Sequence, residues 1–137
     1  MCNLSGFTAR KKIQGYKIVA KKLKGKVYFS IAMGFKYPSD GHIPVVKKQR
    51  SIYLEMAKDI ILKSSGAYKY LMEGRTAIYI HLSDARTQCY HWKNYLKKGY
   101  KLVIVLSEVS KDVMIGSYGG SDVAAGRHIH FIEEVRT

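Results

Sequence analysis

The stretch that decides the fold is Leu102-Val103-Ile104-Val105-Leu106, the longest uninterrupted aliphatic run in the chain. A strand that is covered on both faces has no polar face to alternate with, so such a run predicts the central strand of a sheet. The run is far shorter than the ~20 apolar residues that a membrane-spanning helix needs. We therefore predict a central strand over residues 100–109 and no passage through a membrane.

Other segments of the chain also have the composition of strands, being rich in aromatic and β-branched residues. Residues 16–22 and 26–33 flank Leu23-Lys24-Gly25, which predicts a hairpin. Alternation along the first of these strands places Lys17, Val19 and Lys21 on one face and Tyr16, Ile18 and Ala20 on the other. Three further strands are predicted over residues 76–82, 112–118 and 128–135.

Two segments have helical patterns. Ser51 is predicted to cap a helix over residues 51–63, where apolar residues recur at helical spacing. Ser83 is predicted to cap a second helix, with Asp84 in its first turn and Gly99 as its left-handed stop. The predicted buried stripe of this second helix is Ala85, Cys89, Trp92 and Leu96. These elements predict an α+β fold, a mostly antiparallel sheet of about six strands with two helices in a single domain.

The chain has 137 residues, of which 47% are hydrophobic, and carries 24 Lys and Arg against 10 Asp and Glu, a formal net charge of +14. A chain of this length forms one domain and can bury a core without metals or disulfides. Cys2 and Cys89 are too few for a disulfide framework and lack the spacing of a zinc site. Arg10, Lys11 and Lys12 fall where a secretory signal has its apolar region, so we expect a cytoplasmic protein.

The charge is concentrated in the first part of the chain. Residues 1–51 hold 12 basic side chains and a single acid, Asp40, whereas residues 52–137 hold 12 basic and nine acidic ones. An excess of one sign favours a polyanionic partner, although lysines also keep surfaces soluble and block the edges of sheets. We predict a basic face that binds nucleic acid or a phosphorylated ligand, without catalysis. Its predicted contact residues are Arg10, Lys11, Lys12, Lys17, Lys21, Lys22, Lys24, Lys26, Tyr28, Lys36, Tyr37, Lys47, Lys48 and Arg50.

Aromatic residues alternate with cations in the same part of the chain. Tyr28 follows Lys26 closely, and Tyr37 comes directly after Lys36. Single-stranded nucleic acid is held by this combination, because cations bind the phosphates while rings stack on the bases. The RNP aromatic motif, the GXXG loop, zinc-finger spacing and a helix-turn-helix signature are missing, which argues against sequence-specific recognition.

Three histidines raise a catalytic alternative. His81-Leu82-Ser83 resembles one half of the paired His-x-Ser/Thr signature of the two-histidine phosphoesterases, and His128-Ile129-His130 would have to replace the missing half. A small phosphodiesterase would then use His81 with His128 or His130 as general base and acid. Two neighbouring histidines cannot fill a zinc site, which needs three or four ligands, so no metal and no cofactor is predicted.

Two further features could carry chemistry. The glycine-rich residues 116–121 form either a β-turn or an anion-binding nest in which Arg127 and His128 contact phosphate. Cys2 becomes the N-terminal residue if the initiator Met is removed, and an N-terminal cysteine can act as a nucleophile with its own amine as base.

Three short stretches resemble short bacteriophage-encoded proteins of uncharacterised function: Cys2-Asn3-Leu4-Ser5-Gly6-Phe7, Tyr28-Phe29-Ser30 and Gly126-Arg127-His128-Ile129. The resemblance implies an accessory role during infection, with inhibition of a host defence system among the possible roles, and it assigns no functional residues. It suggests a second hypothesis, in which the basic face docks on an acidic surface of a host protein complex.

Overall fold

The computed structural model describes residues 2–9, 12–31, 36–43, 75–96, 98–118 and 120–136. This part of the chain contains seven strands, one α-helix and one short 3-10 helix. In chain order they are β1 (Cys2–Ala9), β2 (Ile13–Lys22), β3 (Thr76–Tyr79), α1 (Leu82–Trp92), the 3-10 helix (Lys93–Tyr95), β4 (Tyr100–Ser110), β5 (Val113–Tyr118), β6 (Ser121–Gly126) and β7 (His128–Val135).

The strands form one sheet in the order β1-β5-β6-β3-β2-β4-β7, and every neighbouring pair is antiparallel. The predicted α+β class with a mostly antiparallel sheet is thus confirmed. The aliphatic run lies in β4, which pairs with β2 on one side and β7 on the other, as expected of a strand with two apolar faces. The predicted helix over residues 51–63 lies outside the described residues.

Three pairs of strands that are consecutive along the chain account for most of the sheet: β1 with β2, β4 with β5, and β6 with β7. Ala9 pairs with Val113 and Ile13 pairs with Val109, so the end of β1 and the start of β2 keep one register along β5 and β4, whereas the register of β1 shifts between Leu4 and Thr8. Lys111 and Asp112, both with positive φ, turn β4 into β5. Arg127 is the single residue between β6 and β7, and the chain bends there beside Lys111. The bends let the sheet curl.

Strand β3 closes the curl. It pairs with β6 from Thr76 to Tyr79, and Tyr79 also pairs with Tyr16 of β2. A Cβ atom at Gly15 would lie 2.4 Å from the carbonyl oxygen of Tyr79, so only glycine admits this close approach. The closed arrangement encloses a core that includes Val19, Ile78, Val105, Val109 and Ile129.

Helix α1 covers the other face of β2 and β4. Ala85 and Cys89 are buried against Ile18 and Ile104, while Trp92 and Leu96 are only half-buried. The helix begins at Leu82 after His81, and no side chain caps it, so the prediction of Ser83 as cap is wrong. Asp84 lies in the first turn as predicted. The helix ends at Trp92 and the 3-10 helix ends at Tyr95, so the prediction of Gly99 as the stop is wrong, although Gly99 has a left-handed φ of +93° in the turn before β4. Within the described residues, no helix has the length and apolarity needed to cross a membrane.

The predicted hairpin does not form as a continuous ladder. In its described part, Phe29 alone pairs with β2, through two hydrogen bonds with Ala20 of 2.8 and 3.1 Å. The same edge of β2 is taken at Tyr16 by β3. The described part of residues 26–33 therefore forms a single bridge with β2 and no strand.

Candidate polyanion-binding site

Five exposed lysines meet at one end of the sheet. Strand β2 ends where its antiparallel partner β4 begins, so the turns beside these two strand ends are neighbours. The amide of Leu23 donates a hydrogen bond of 3.2 Å to the carbonyl of Gly99 and ties the two turns together. We call this surface the lysine end; it consists of Lys22, Lys24, Lys26, Lys98 and Lys101, which are all exposed.

One carboxylate lies close to the lysine end and is held there. Both carboxylate oxygens of Glu134 accept hydrogen bonds of 2.9 Å from the Lys21 ammonium group, and one of them accepts a 3.0 Å bond from the Tyr28 hydroxyl. The bond from Lys21, with the bond from Tyr28 and the charges of Lys21 and Lys101, lowers the pKa of Glu134 against the opposing effect of burial. Burial, followed by the bond to Glu134, raises the pKa of Tyr28 to about 12.

The alternation predicted for β2 is confirmed. However, two of the predicted contact residues, Lys17 and Lys21, bond to other strands of the sheet. Val19 is fully buried in the core, and Lys17 beside it donates a 2.7 Å hydrogen bond to the Ala77 carbonyl of β3. Lys21 is paired with Glu134, and only 13% of its side chain is exposed. Lys17 and Lys21 therefore stabilise the sheet.

The other predicted cations are distributed as follows. Lys12 lies at the far end of β2, 71% exposed and 3.8 Å from Glu108. Ten residues along an extended strand separate it from Lys22, a span of about 30 Å. Lys36 is exposed, and its backbone pairs with Phe29. Five predicted contact residues lie outside the described part: Arg10, Lys11, Lys47, Lys48 and Arg50.

A groove with aromatic walls opens beside the lysine end and shares Lys26 with it. Its volume is about 440 Å³. We call it the aromatic groove; it is lined by Lys26, Val27, Tyr28, Lys36, Tyr37, Pro38, Ser39 and Phe131.

The rings of the groove are arranged edge to face. Phe131 lies at the centre, with its centroid 5.0 Å from that of Tyr28 and 5.1 Å from that of Tyr37. Tyr37 is buried, and its hydroxyl lies 3.3 Å from that of Thr76. Tyr28 and Phe131 are half-buried, so they are the rings with surface left for a ligand. The sequence predicted Tyr28 and Tyr37 as contact residues, and the structure places them together.

The structure does not bring the three candidate catalytic histidines together. The Nε2 atom of His81 lies 2.9 Å from Asp122, whereas the ring of His128 contacts Ser110 and the carbonyl of Asp40. Asp122 and His128 are six residues apart along β6 and β7, about 20 Å of extended chain. His130 is exposed on β7. Among the described residues, no group of three or more His, Cys, Asp or Glu side chains could hold a metal ion.

The candidate phosphate contacts, Arg127 and His128, both form hydrogen bonds within the protein. The Nε atom of Arg127 donates a 2.8 Å hydrogen bond to Asp112, and Nε2 of His128 lies 2.7 Å from the Asp40 carbonyl. Gly120 has a φ of +86° in the turn between β5 and β6, which agrees with a glycine-rich β-turn. This turn is separated from Arg127 by the length of β6, so the two do not form one anion site.

The two cysteines lie in different elements, Cys89 in α1 and Cys2 in β1. Cys89 is a free thiol on the buried face of α1, and burial raises its pKa despite an opposing effect of Lys93. It behaves as the small apolar residue that the helical pattern predicts. The backbone of Cys2 belongs to β1 and pairs with Tyr118, and the proposal of an N-terminal nucleophile stays a prediction.

Sequence reasoning missed three residues of this region. They are Lys98, Lys101 and Phe131, none of which is among the predicted contact residues. The pairing of Lys21 with Lys101 and of Lys22 with Tyr100 brings residues 98–101 to the end of β2. These residues could be predicted only from the pairing of residues 16–22 with residues 100–109, which the local sequence pattern does not contain.

Comparison with known proteins gives no match: no protein-family model, no curated protein and no solved structure is significantly similar to this chain.

Proposed function

We propose that this protein is a non-enzymatic binding module that contacts nucleic acid through the lysine end. The observation that carries the proposal is the convergence of five exposed lysines on the neighbouring ends of β2 and β4 and on the turns beside them, which are hydrogen-bonded to each other. Among the described residues, the carboxylate hydrogen-bonded beside them is Glu134, which already accepts bonds from Lys21 and Tyr28. The net charge of +14 attracts any polyanion to the molecule, and the lysine end gives it a place to bind.

The physical basis is the release of counterions. Each phosphate that a lysine neutralises frees a condensed cation from the nucleic acid, so binding is strong at low salt and weakens steeply as salt is added. Lysine provides a flexible point charge without the fork of donors by which arginine recognises a base edge. The lysine end therefore suits contacts to the phosphate backbone, which carry no sequence information.

The test compares two double variants that remove the same charge from different places. Lys22→Gln/Lys24→Gln changes the lysine end, whereas Lys12→Gln/Lys111→Gln removes two exposed lysines from the opposite end of β2 and β4. Binding of a fluorescent single-stranded oligonucleotide is measured at low salt. We expect the first variant to lose roughly tenfold or more in affinity, and the second to lose about twofold or less, through the field of the whole molecule.

Two results contradict the proposal. One is a wild-type protein that does not bind the oligonucleotide at low salt, and the other is an equal loss in both variants. The altered side chains are exposed, so equal melting temperatures of all three proteins show that folding is not the cause.

A second candidate function is docking on an acidic protein surface. It is favoured by Leu23, which lies between Lys22 and Lys24, and by Val27, which follows Lys26; they are 61% and 39% exposed. Apolar side chains ringed by charges are typical of a protein interface, where steering by charge brings the partners together. With the resemblance to bacteriophage proteins, the partner would belong to a host defence complex. Co-purification from nuclease-treated host lysate that is lost in Leu23→Ser supports this candidate, and oligonucleotide binding unchanged in Leu23→Ser supports the first.

A further inference from the structure

We infer that the aromatic groove receives a base of a single-stranded nucleic acid whose phosphates lie on the lysine end. This inference rests on the proposed function and goes beyond it, because it names the form of nucleic acid and the place of a base. The groove and the lysine end share Lys26, so one strand can contact both.

The size and the walls of the groove fit a planar aromatic ligand. Its volume of about 440 Å³ falls within the roughly 300–1,000 Å³ of small-molecule sites. Tyr28 and Phe131 provide half-buried rings, and Pro38 and Val27 provide further apolar surface. The hydroxyl of Ser39, which is exposed, offers one polar group at the rim.

The charges at the rim favour a phosphate-bearing ligand over an apolar peptide. Lys26 and Lys36 both line the groove and are both exposed. The carboxylate next to the groove, Glu134, is bonded to Lys21 and Tyr28 and leaves these two lysines to a ligand. A nucleotide combines a flat apolar base with an adjacent anion, which is the complement of these walls and this rim.

A single strand fits the groove better than a duplex. The bases of a duplex are paired and stacked, so extruding one costs free energy. An unpaired base enters without that cost, and stacking on an aromatic side chain contributes about 1–3 kcal/mol, or roughly 5- to 150-fold in affinity.

The first experiment compares oligothymidylate with an abasic strand of the same length and the same number of phosphates. We expect oligothymidylate to bind at least about fivefold more tightly, with both affinities falling as salt is added. Equal affinities overturn the base-binding groove and leave the proposed function standing. Absence of binding by either strand overturns the proposed function as well, so the two failures are distinct.

A matched pair of variants locates the effect. Val27 lies in the groove and Leu23 lies outside it at the same end of the sheet, and both are exposed. We expect Val27→Ser to reduce the advantage of oligothymidylate over the abasic strand by about twofold or more, with no change for the abasic strand. Leu23→Ser should leave the advantage unchanged, and the reverse pattern contradicts the inference.

Photocross-linking provides a direct readout that does not depend on affinity. An oligonucleotide with 5-iodouracil is bound, irradiated, and its attachment site is mapped by mass spectrometry. We expect cross-links at Tyr28 or Phe131. Tyr90 is an internal comparison, because it is 70% exposed on α1 with the Lys93 ammonium 4.6 Å from its ring centroid. Cross-links at Tyr90 and none in the groove would overturn the inference.

Discussion

At the scale of single residues, Glu134 controls how much positive charge the lysine end presents. It binds Lys21 through both carboxylate oxygens and accepts a bond from the Tyr28 hydroxyl. Lys21 is therefore held against the sheet, and Tyr28 is fixed at the edge of the groove. The same three groups link the fold to the proposed site.

Replacing Glu134 by Gln should strengthen the binding of nucleic acid. The change removes one negative charge beside the lysine end and releases the Lys21 ammonium group. An exposed ion pair contributes up to about 1 kcal/mol, so we expect an increase of up to about fivefold at low salt. Glu133→Gln is the control, because it makes the same change of charge at the neighbouring exposed residue of β7. A loss of affinity in Glu134→Gln contradicts this account.

The stability of the same variant should depend on pH in a defined direction. The folded protein lowers the pKa of Glu134, so the contribution of this carboxylate to stability is present above its unfolded pKa and is lost as the pH falls through its folded pKa. Because 41% of the side chain is exposed, we expect at most about 1 kcal/mol at pH 7. Urea denaturation should give the wild type a larger free energy of unfolding than Glu134→Gln at neutral pH. In strongly acidic buffer the two free energies should be equal. A constant difference at every pH would show that ionisation is not the cause.

The sequence predicted the residue types of the site but could not predict the contacts of each lysine. Alternation correctly placed Lys17 and Lys21 on the face of β2 that carries Val19. Their partners, the carbonyl of Ala77 and the carboxylate of Glu134, are 60 and 113 residues away in sequence. Contacts over such separations follow from strand pairing, which a local pattern does not contain.

At the scale of elements, the junction of β2 with β3 depends on Gly15. We expect Gly15→Ala to destabilise the protein by more than about 1 kcal/mol, because the new Cβ atom would meet the Tyr79 carbonyl oxygen at 2.4 Å and Ile78 at 2.9 Å. The control is Gly25→Ala, whose Cβ atom would meet Lys22 at an ordinary 3.4 Å, so we expect a change within about 0.5 kcal/mol. Chemical denaturation measures both. Equal effects would mean that β3 does not need the close approach.

The start of α1 provides a second test at this scale. Ser83 lies inside the first turn, and no side chain caps the helix. We therefore expect Ser83→Ala to change the free energy of unfolding by less than about 0.5 kcal/mol, whereas loss of an N-cap side chain costs about 1 kcal/mol. A loss of 1 kcal/mol or more in thermal or urea denaturation would restore the capping role that the sequence suggested.

Elements with strong patterns could be predicted, and those with weak patterns could not. Strand β4 is long and apolar on both faces, and the prediction matched it to within one residue. Strand β6 was missed because its buried positions include Ala124 and Ala125, which have little preference for strands. Strand β1 was missed because CNLSGFTA lacks a clear alternation. Both weak strands pair with β5, so tertiary pairing determines them.

At the scale of the whole molecule, the uneven charge suggested a polyanionic partner but did not predict which lysines form one surface. Among the described cations of residues 1–51, Lys22, Lys24 and Lys26 lie at one end of the sheet and Lys12 lies at the other. Lys98 and Lys101 complete the first group, although they come from the half of the chain with little net charge. The sheet topology thus collects charge that is separated in sequence.

The most direct test of the lysine end is the salt dependence of single-strand binding, measured for the wild type and for the two double variants. A phosphate contact on a single strand contributes about −0.7 to the slope of log affinity against log salt concentration. We predict that Lys22→Gln/Lys24→Gln makes this slope shallower by about 1.4, and that Lys12→Gln/Lys111→Gln leaves it unchanged. A wild-type affinity that does not respond to salt, or the same change of slope in both variants, would contradict the account.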